Sequence, residues 1–196
     1  MLTQLERTLP RGDVWRYEPK LDGFRGLPRR SSCTAIQLLS RNVKDLSPWF
    51  PELIQAGRAL PPNTVLDGEI VIADDRGCSD FGALQTRLGV AKRAATQIAR
   101  ERPAVLLCFD VLTLAGHDLT MSPLVERRRH LEDLVVGLHP CLQLVTQTHD
   151  RQLAEQWLTL LSSVEGVVAK RGDGRYSAGR QHAWIKVKRQ QRSIAL

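Results

Sequence analysis

The chain has 196 residues, 42% of them hydrophobic, which is enough for a sizeable core in one domain or in one compact two-lobed unit. No apolar run is long enough to span a bilayer and the N-terminal residues lack the apolar stretch of a secretory signal, so a membrane or secreted protein is not expected. The net charge of +7 favours a polyanionic partner, although solubility alone also explains a basic excess.

Strands and helices interleave along the chain without a strict βαβ rhythm. In chain order, the patterns predict a strand at Trp15–Lys20, a strand at Ala35–Leu39, a helix at Pro51–Ala59, a strand at Val65–Ala73, helices at Phe81–Leu88 and Lys92–Glu101, a strand at Val105–Phe109, a helix from Ser122-Pro123 to about Leu138, a helix from Leu153 to Val164, and strands at Gly166–Lys170 and Trp184–Lys188. This order predicts an α+β fold with largely antiparallel sheets flanked by helices.

The cysteines indicate the redox setting. The four cysteines are widely separated and no two form a C-x-x-C pair, so a zinc site is not expected. A reducing cytoplasm is the simplest setting for such a chain.

Lys20 stands at the end of a predicted strand, beside an Asp22-Gly23 turn, with Arg25 shortly after it. A lysine is a poor nucleophile at neutral pH while it is protonated, but nearby cations or desolvation lower its pKa and activate it. This arrangement suits covalent attack on a phosphate. The alternative is an ordinary Asp-Gly turn flanked by surface charges.

Polar clusters lie on or beside five of the predicted strands. They are Lys20 to Arg25, Asp67-Gly68-Glu69, Phe109-Asp110, Glu165-Gly166 and Lys186-x-Lys188. Two carboxylates within one mostly apolar strand, at Asp67 and Glu69, are costly unless they serve a purpose.

The order and character of these clusters resemble the motifs of the covalent nucleotidyltransferases, which include ATP-dependent DNA ligases, RNA ligases and mRNA capping enzymes. The K-x-D-G-x-R, D-G-E, E-G-h-V-h-K and K-x-K elements match at Lys20–Arg25, Asp67–Glu69, Glu165–Lys170 and Lys186–Lys188. Three further features look like bacterial and archaeal DNA ligases in particular: Ser40-Arg41-Asn42, Phe81-x-x-Leu84-Gln85-x-Arg87 and Phe109-Asp110. The resemblance implies the ATP-grasp-like adenylation domain of an ATP-dependent DNA ligase, covering residues 1–196.

By this resemblance, Lys20 attacks the α-phosphate of ATP and forms lysyl-AMP, for transfer to a DNA 5′-phosphate and sealing of a nick. The implied catalytic residues are Lys20, Lys186, Lys188 and Arg41, with Arg41 meeting the 5′-phosphate at the nick. The implied nucleotide-binding residues are Glu18 and Phe109 at the adenine, Arg25 and Glu69 near the ribose or phosphates, and Lys186 and Lys188 at the α-phosphate. Glu69 and Glu165 are the implied ligands of Mg²⁺ or Mn²⁺.

Each of these residues also has a structural interpretation. Phe109 could belong to the core, and Glu69 and Glu165 could be solvated residues at strand ends. Lys186 and Lys188 could be the polar face of an edge strand, and Arg41 could cap a turn. As a whole, the chain could instead be an RNA ligase, a capping enzyme that uses GTP, or a non-catalytic module that binds DNA ends.

The chain departs from the family in two places. Pro28 cannot donate to a sheet ladder, so the strand after Arg25 is expected to be short or at an edge. The sequence ends eight residues after Lys188, whereas the family normally continues into an OB-fold domain. We therefore expect either an isolated catalytic domain of a larger protein or a minimal natural form. Its expected partners are nicked double-stranded DNA and an OB-fold domain or repair partner, in cis or in trans. The segment Tyr176–Arg180 resembles the glycine-rich loop that leads into the last motif.

Overall fold

The computed structural model describes residues 2–161, 164–177 and 180–189, so Ala178 and Gly179 of the predicted glycine-rich loop lie outside the described residues. The strands of the described ranges are β1 (Leu2–Glu6), β2 (Trp15–Lys20), β3 (Phe24–Arg30), β4 (Ile36–Ser40), β5 (Thr64–Val71), β6 (Val105–Leu114), β7 (His117–Asp118), β8 (Leu142–Leu144), β9 (Gly166–Arg171) and β10 (Arg180–Lys188). The helices are α1 (Pro51–Gly57), α2 (Phe81–Gly89), α3 (Lys92–Glu101), α4 (Leu124–Val135) and α5 (Arg151–Leu160). None of these helices is long and apolar enough to cross a membrane.

The strands form two sheets in which antiparallel pairing dominates. The first sheet has four strands in the order β1-β10-β9-β2, with β1 parallel to β10. The second has six strands, ordered β4-β3-β5-β6-β7, with β8 running parallel to β6. The predicted α+β fold with largely antiparallel sheets is therefore confirmed.

Each sheet has one face covered by its own hydrophobic core. The core of the first sheet packs α5 against β2, β9 and β10, with Tyr17, Trp157 and Val167 among its buried residues. The larger core packs α1, α2 and α4 against the second sheet. Because side chains alternate between the faces of a strand, the neighbours of these core residues point to the opposite face.

Several helix boundaries differ from the prediction: α1 ends at Gly57 and not at Ala59, and α5 ends at Leu160 and not at Val164. The helix predicted from Ser122-Pro123 begins one residue later, because Pro123 occupies the N-cap position, and α4 ends at Val135. The helix predicted from Leu153 begins at Arg151, because the Asp150 side chain accepts hydrogen bonds from the amides of Gln152 and Leu153.

The expectation for the strand after Arg25 was wrong. β3 is a seven-residue strand that pairs with β4 on one side and with β5 on the other. The pairing of β3 with β5 skips Leu27 and Pro28, so the missing amide donor of Pro28 coincides with a gap in that ladder. An interior strand tolerates the proline for this reason.

Candidate active site

A cavity of about 680 Å³ has walls contributed by both sheets. On β2, Tyr17 lies in the core, whereas Glu18 and Lys20 line the cavity. The same alternation on β10 buries Val187 and turns Trp184 and Lys186 to the cavity. The period of two along each strand thus separates the core residues from the polar residues of the motifs.

The second sheet supplies the opposite wall. Arg25 of β3, Glu69 of β5 and Phe109 of β6 line the cavity, and Ser40-Arg41-Asn42 lies at the end of β4. About half of the lining residues are charged or polar, and the volume of the cleft is within the usual range of a small-molecule site.

Lys20 and Glu165 form an ion pair at the cavity, through Nζ and Oε2. The other oxygen of Glu165 lies 3.2 Å from Nζ of Lys188. Burial tends to raise the pKa of Glu165, but the hydrogen bonds and charges of Lys20 and Lys188 outweigh it and lower that pKa. One ionised carboxylate therefore holds two of the predicted catalytic lysines together.

Glu18 is buried and does not present a free carboxylate to the cavity. Its Oε2 lies 2.5 Å from Nζ of Lys170, and its Oε1 accepts a hydrogen bond of 2.8 Å from Gln147. The ammonium of Lys170 lies 4.2 Å from the ring centroids of both Phe109 and Trp184. The two rings meet edge to face with their centroids 5.9 Å apart, so this part of the wall is an aromatic corner around a buried ion pair.

Arg25 is held by the buried carboxylate of Asp67. Its Nε and Nη2 donate to the two oxygens of Asp67 over 2.8 and 2.5 Å, which is the bidentate geometry favoured by a guanidinium. The Tyr176 hydroxyl donates to Asp67 over 2.7 Å and accepts from Arg25 over 2.8 Å. Burial and the charge of Asp67 raise the pKa of Tyr176, so the hydroxyl stays protonated at neutral pH.

Glu69 is a cavity carboxyl with a raised pKa. Burial raises its pKa to about 7, with the charges of Asp67 and Asp22 adding to the rise and those of Lys20 and Arg25 opposing it. Near pH 7 this carboxyl is therefore close to half protonated, and a cation bound beside it would favour the ionised form.

This raised pKa predicts a loss of stability as the pH rises from about 4.5 to about 7. In that interval the unfolded chain has released the proton of Glu69 and the folded chain still holds it, so ionisation in the fold costs free energy, up to about 3 kcal/mol. Glu69→Gln should remove the loss. Urea unfolding at several pH values should show that the free energy of unfolding of the variant rises relative to that of the parent across this interval. Above the interval the difference between the two should stay constant. A stability difference independent of pH would contradict the raised pKa.

Arg41 is exposed at the edge of the cavity, in the turn that follows β4. In the same turn Val43 has a φ of 60° and a side chain that is 74% exposed. A β-branched residue is strained in this left-handed region.

Val43→Gly should therefore stabilise the chain by about 1 kcal/mol, because the relief of strain exceeds the extra entropy of glycine in the unfolded state. The midpoint of urea unfolding measures this change. Val43→Ala is the matched control: it keeps a Cβ at positive φ and should gain much less. Equal gains from both variants would show that the exposed apolar surface, rather than the backbone, is responsible.

The predicted Phe81-x-x-Leu84-Gln85-x-Arg87 element lies on α2, and its members have different environments. Leu84 is part of the larger core. Arg87 is fully buried, pairs with Glu52 at 2.9 Å and donates to the carbonyl of Arg102 over 2.6 Å. Arg87 thus supports the packing of α1, α2 and α3 and does not line the cavity.

The structure brings the nine predicted site residues together at the cavity. Those that line the cavity are Glu18, Lys20, Arg25, Arg41, Glu69, Phe109 and Lys186. Glu165 joins them through its ion pair with Lys20, and Lys188 joins them through its ion pair with Glu165. The roles assigned to these residues stay predictions.

Two contributions went unrecognised in the sequence: the pairing of Lys170 with Glu18, and the bond from Tyr176 to Asp67. The alternation along β9 would have placed Lys170 on the cavity face. No local signal identifies the partner of Tyr176.

The described residues contain no group of three or more His, Cys, Asp or Glu side chains that could hold a metal ion. The donors that the structure does supply, Glu69 and Glu165, are carboxylates of the kind that Mg²⁺ prefers. Two carboxylates leave most of an octahedral shell to water and substrate phosphates, which is usual for Mg²⁺ at a nucleotide site.

Comparison with known proteins identifies the family of the chain. Residues 1–188 match the family described as the ATP dependent DNA ligase domain. DNA ligase C of Mycobacterium tuberculosis is 39% identical over 161 residues, which cover 79% of this chain and 44% of that protein.

Two solved structures share the fold. The ligase domain of LigD from M. tuberculosis has a TM-score of 0.72 and 27% identity, covering 95% of this chain and 59% of that one. A mycobacterial DNA ligase D complexed with ATP has a TM-score of 0.68 and 28% identity, covering 95% and 60%. The chain thus spans about half the length of these three relatives.

Proposed function

Because the chain belongs to the family of ATP-dependent DNA ligase domains, we propose that it catalyses covalent nucleotidyl transfer, with Lys20 as the nucleophile and a nicked DNA strand as the final acceptor. The placement of Lys20 supports this proposal most directly. Its ammonium lies at the cavity beside Glu165. Lys186 of β10 lines the same cavity, and Lys188 of β10 contacts Glu165.

In the first step, the electron pair of the deprotonated Lys20 amine forms a bond to the α-phosphorus of ATP. The bond from that phosphorus to the leaving oxygen breaks, and pyrophosphate carries away the electron pair. The lysine must lose a proton before the attack, and the carboxylate of Glu165, which is ion-paired with Lys20, would accept that proton. The cations Lys186 and Lys188 would stabilise the negative charge that develops on the α-phosphate.

The adenine would lie against the aromatic corner. Phe109 offers a ring face at the cavity wall, and Glu18 would approach the base edge while it remains paired with Lys170. Arg25, held by Asp67, would face the ribose or the phosphates together with Glu69.

Mg²⁺ or Mn²⁺ would be held by Glu69 and Glu165 together with phosphate oxygens and water. When bound, the ion would neutralise charge on the phosphates and on the leaving pyrophosphate. Glu165 pairs with Lys20 and Lys188, so its contact with an ion would change the surroundings of the nucleophile.

In the later steps, a 5′-phosphate oxygen of the nick would attack the adenylate, the phosphorus–nitrogen bond to Lys20 would break, and the 3′-hydroxyl would then displace AMP. Arg41 is exposed at the cavity edge, where its guanidinium can meet a 5′-phosphate. The net charge of +7 favours association with the phosphate backbone. An OB-fold domain or a repair partner would provide the remaining contacts with the duplex.

Incubation with α-labelled ATP or GTP and Mg²⁺, followed by denaturing electrophoresis, tests the proposal. We expect the chain to retain label from ATP and none from GTP. Label from GTP would favour a capping-type transferase instead. Absence of label from either nucleotide would favour a module that binds DNA ends without catalysis.

A further inference from the structure

The turn that follows Lys20 is held between two other parts of the chain. On one side it presses against β5: a Cβ added at Gly23 would lie 2.4 Å from the carbonyl oxygen of Ile70 and 2.8 Å from Cγ of Glu69. Only glycine fits such a close approach, so this side of the turn is fixed by the backbone of the second sheet.

The other side of the turn is held by the residues at the start of α2. The Ser79 hydroxyl donates a hydrogen bond of 2.6 Å to the carbonyl oxygen of Asp22. Two residues later, the ring of Phe81 packs edge to face on Phe24, with the centroids 5.2 Å apart. A polar and an aromatic contact therefore bracket the Asp22-Gly23 turn.

The segment Ser79–Phe81 is itself firmly anchored. The Asp80 side chain caps α2 by accepting from the amide of Ala83 over 2.9 Å, and its other oxygen accepts from Arg102 over 3.0 Å. The amide of Asp80 donates to the carbonyl of Ile72 over 2.8 Å. Contacts made by such a segment transmit the rigidity of the second sheet and of α2 to the turn.

We propose that Ser79 is a positioning residue for Lys20, and that Ser79–Phe81 aligns the nucleophile by fixing the turn next to it. This inference rests on the proposed function for its chemical consequence. It also gives the Phe81-x-x-Leu84-Gln85-x-Arg87 element a role in the reaction through Phe81. Arg87 of that element is buried away from the cavity and does not contribute to this role. A small displacement of a nucleophile is enough to slow a reaction that depends on alignment.

Ser79→Ala removes the hydroxyl and leaves the packing of Phe81 intact. The rate constant for lysyl-AMP formation at saturating ATP should fall about tenfold, with less than about a twofold change in the ATP concentration that gives half the maximal rate, because the residues that line the nucleotide cavity are unchanged. Ser79→Thr keeps a hydroxyl and should restore most of the rate. Thr86→Ala, which removes a hydroxyl bonded within α2 to the carbonyl of Gly82, is the matched control and should behave as the parent.

Amide hydrogen exchange of the peptide that contains residues 20–25 gives a readout independent of activity. Ser79→Ala should speed exchange there, whereas Thr86→Ala should not. Unchanged exchange in Ser79→Ala, or a rate of lysyl-AMP formation within twofold of the parent, overturns the positioning role. If the parent forms no lysyl-AMP at all, the proposed function fails, and the exchange data alone then decide whether Ser79 orders the turn.

Discussion

Lys20→Ala is expected to reduce labelling by α-labelled ATP to background. The reaction has no other group that forms the proposed bond to the α-phosphorus, so its loss cannot be offset by the remaining cations. The fold should survive, because Lys20 is partly exposed and Glu165 keeps Lys188 as a partner. A partly exposed ion pair of this kind contributes about 1 kcal/mol.

Lys20→Arg separates the loss of the nucleophile from the loss of its charge. The guanidinium keeps a positive charge beside Glu165 but stays protonated at neutral pH and does not attack phosphorus. Loss of label in this variant would therefore identify a missing nucleophile and exclude a missing charge. Lys92→Ala, at an exposed position of α3 and outside the cavity lining, should label like the parent. Persistent label in both Lys20 variants would place the bond elsewhere.

Arg127→Met is expected to have the largest effect on stability, a loss of about 3–5 kcal/mol, because it leaves Asp110 charged and buried without its partner. Both side chains are fully buried. Arg127 donates from Nε and Nη2 to the two oxygens of Asp110 over 2.7 and 2.9 Å, and from Nη1 to the carbonyl of Gly174 over 3.0 Å. The pair thus ties α4 to β6 and to the segment that leads to Tyr176.

Urea unfolding measures this loss, and two further variants decide its origin. Arg129→Met changes an exposed neighbour on α4 and should stay within about 0.5 kcal/mol of the parent. Asp110→Asn combined with Arg127→Met should cost clearly less than the two single changes added together, because no unpaired charge remains. Additive losses would mean that the packing of the arginine chain, and not the ion pair, carries the effect.

The sequence predicts the candidate site better than it predicts what holds the site in place. Lys20, Glu69 and Phe109 stand in short motifs whose chemistry is legible locally, and the alternation of strand residues then places them at one cavity. Glu18 pairs with Lys170, and Asp67 accepts hydrogen bonds from Arg25 and Tyr176. These pairings depend on how strands that are distant in sequence align in the sheets. No local pattern encodes that choice.

The fold shows the same division. Helix α3 has its predicted bounds because its amphipathic pattern is local. Strand β1 was not predicted, since it is defined by parallel pairing with β10 at the other end of the chain. Strand β3 was underestimated, because the cost of Pro28 in a sheet depends on a gap in the ladder with β5 that only the assembled structure provides.

In the proposed reaction Lys20 carries the adenylate, and the most direct measurement is to locate that adduct. The parent chain, incubated with ATP and Mg²⁺, would be digested without acid treatment and its peptides analysed by tandem mass spectrometry. We expect the mass of one adenylate on the peptide that contains Lys20, with fragment ions assigning it to that side chain, and no adduct after pyrophosphate is added in excess. An adenylate on Lys186, Lys188 or any other residue, or its absence from every peptide, would contradict the account.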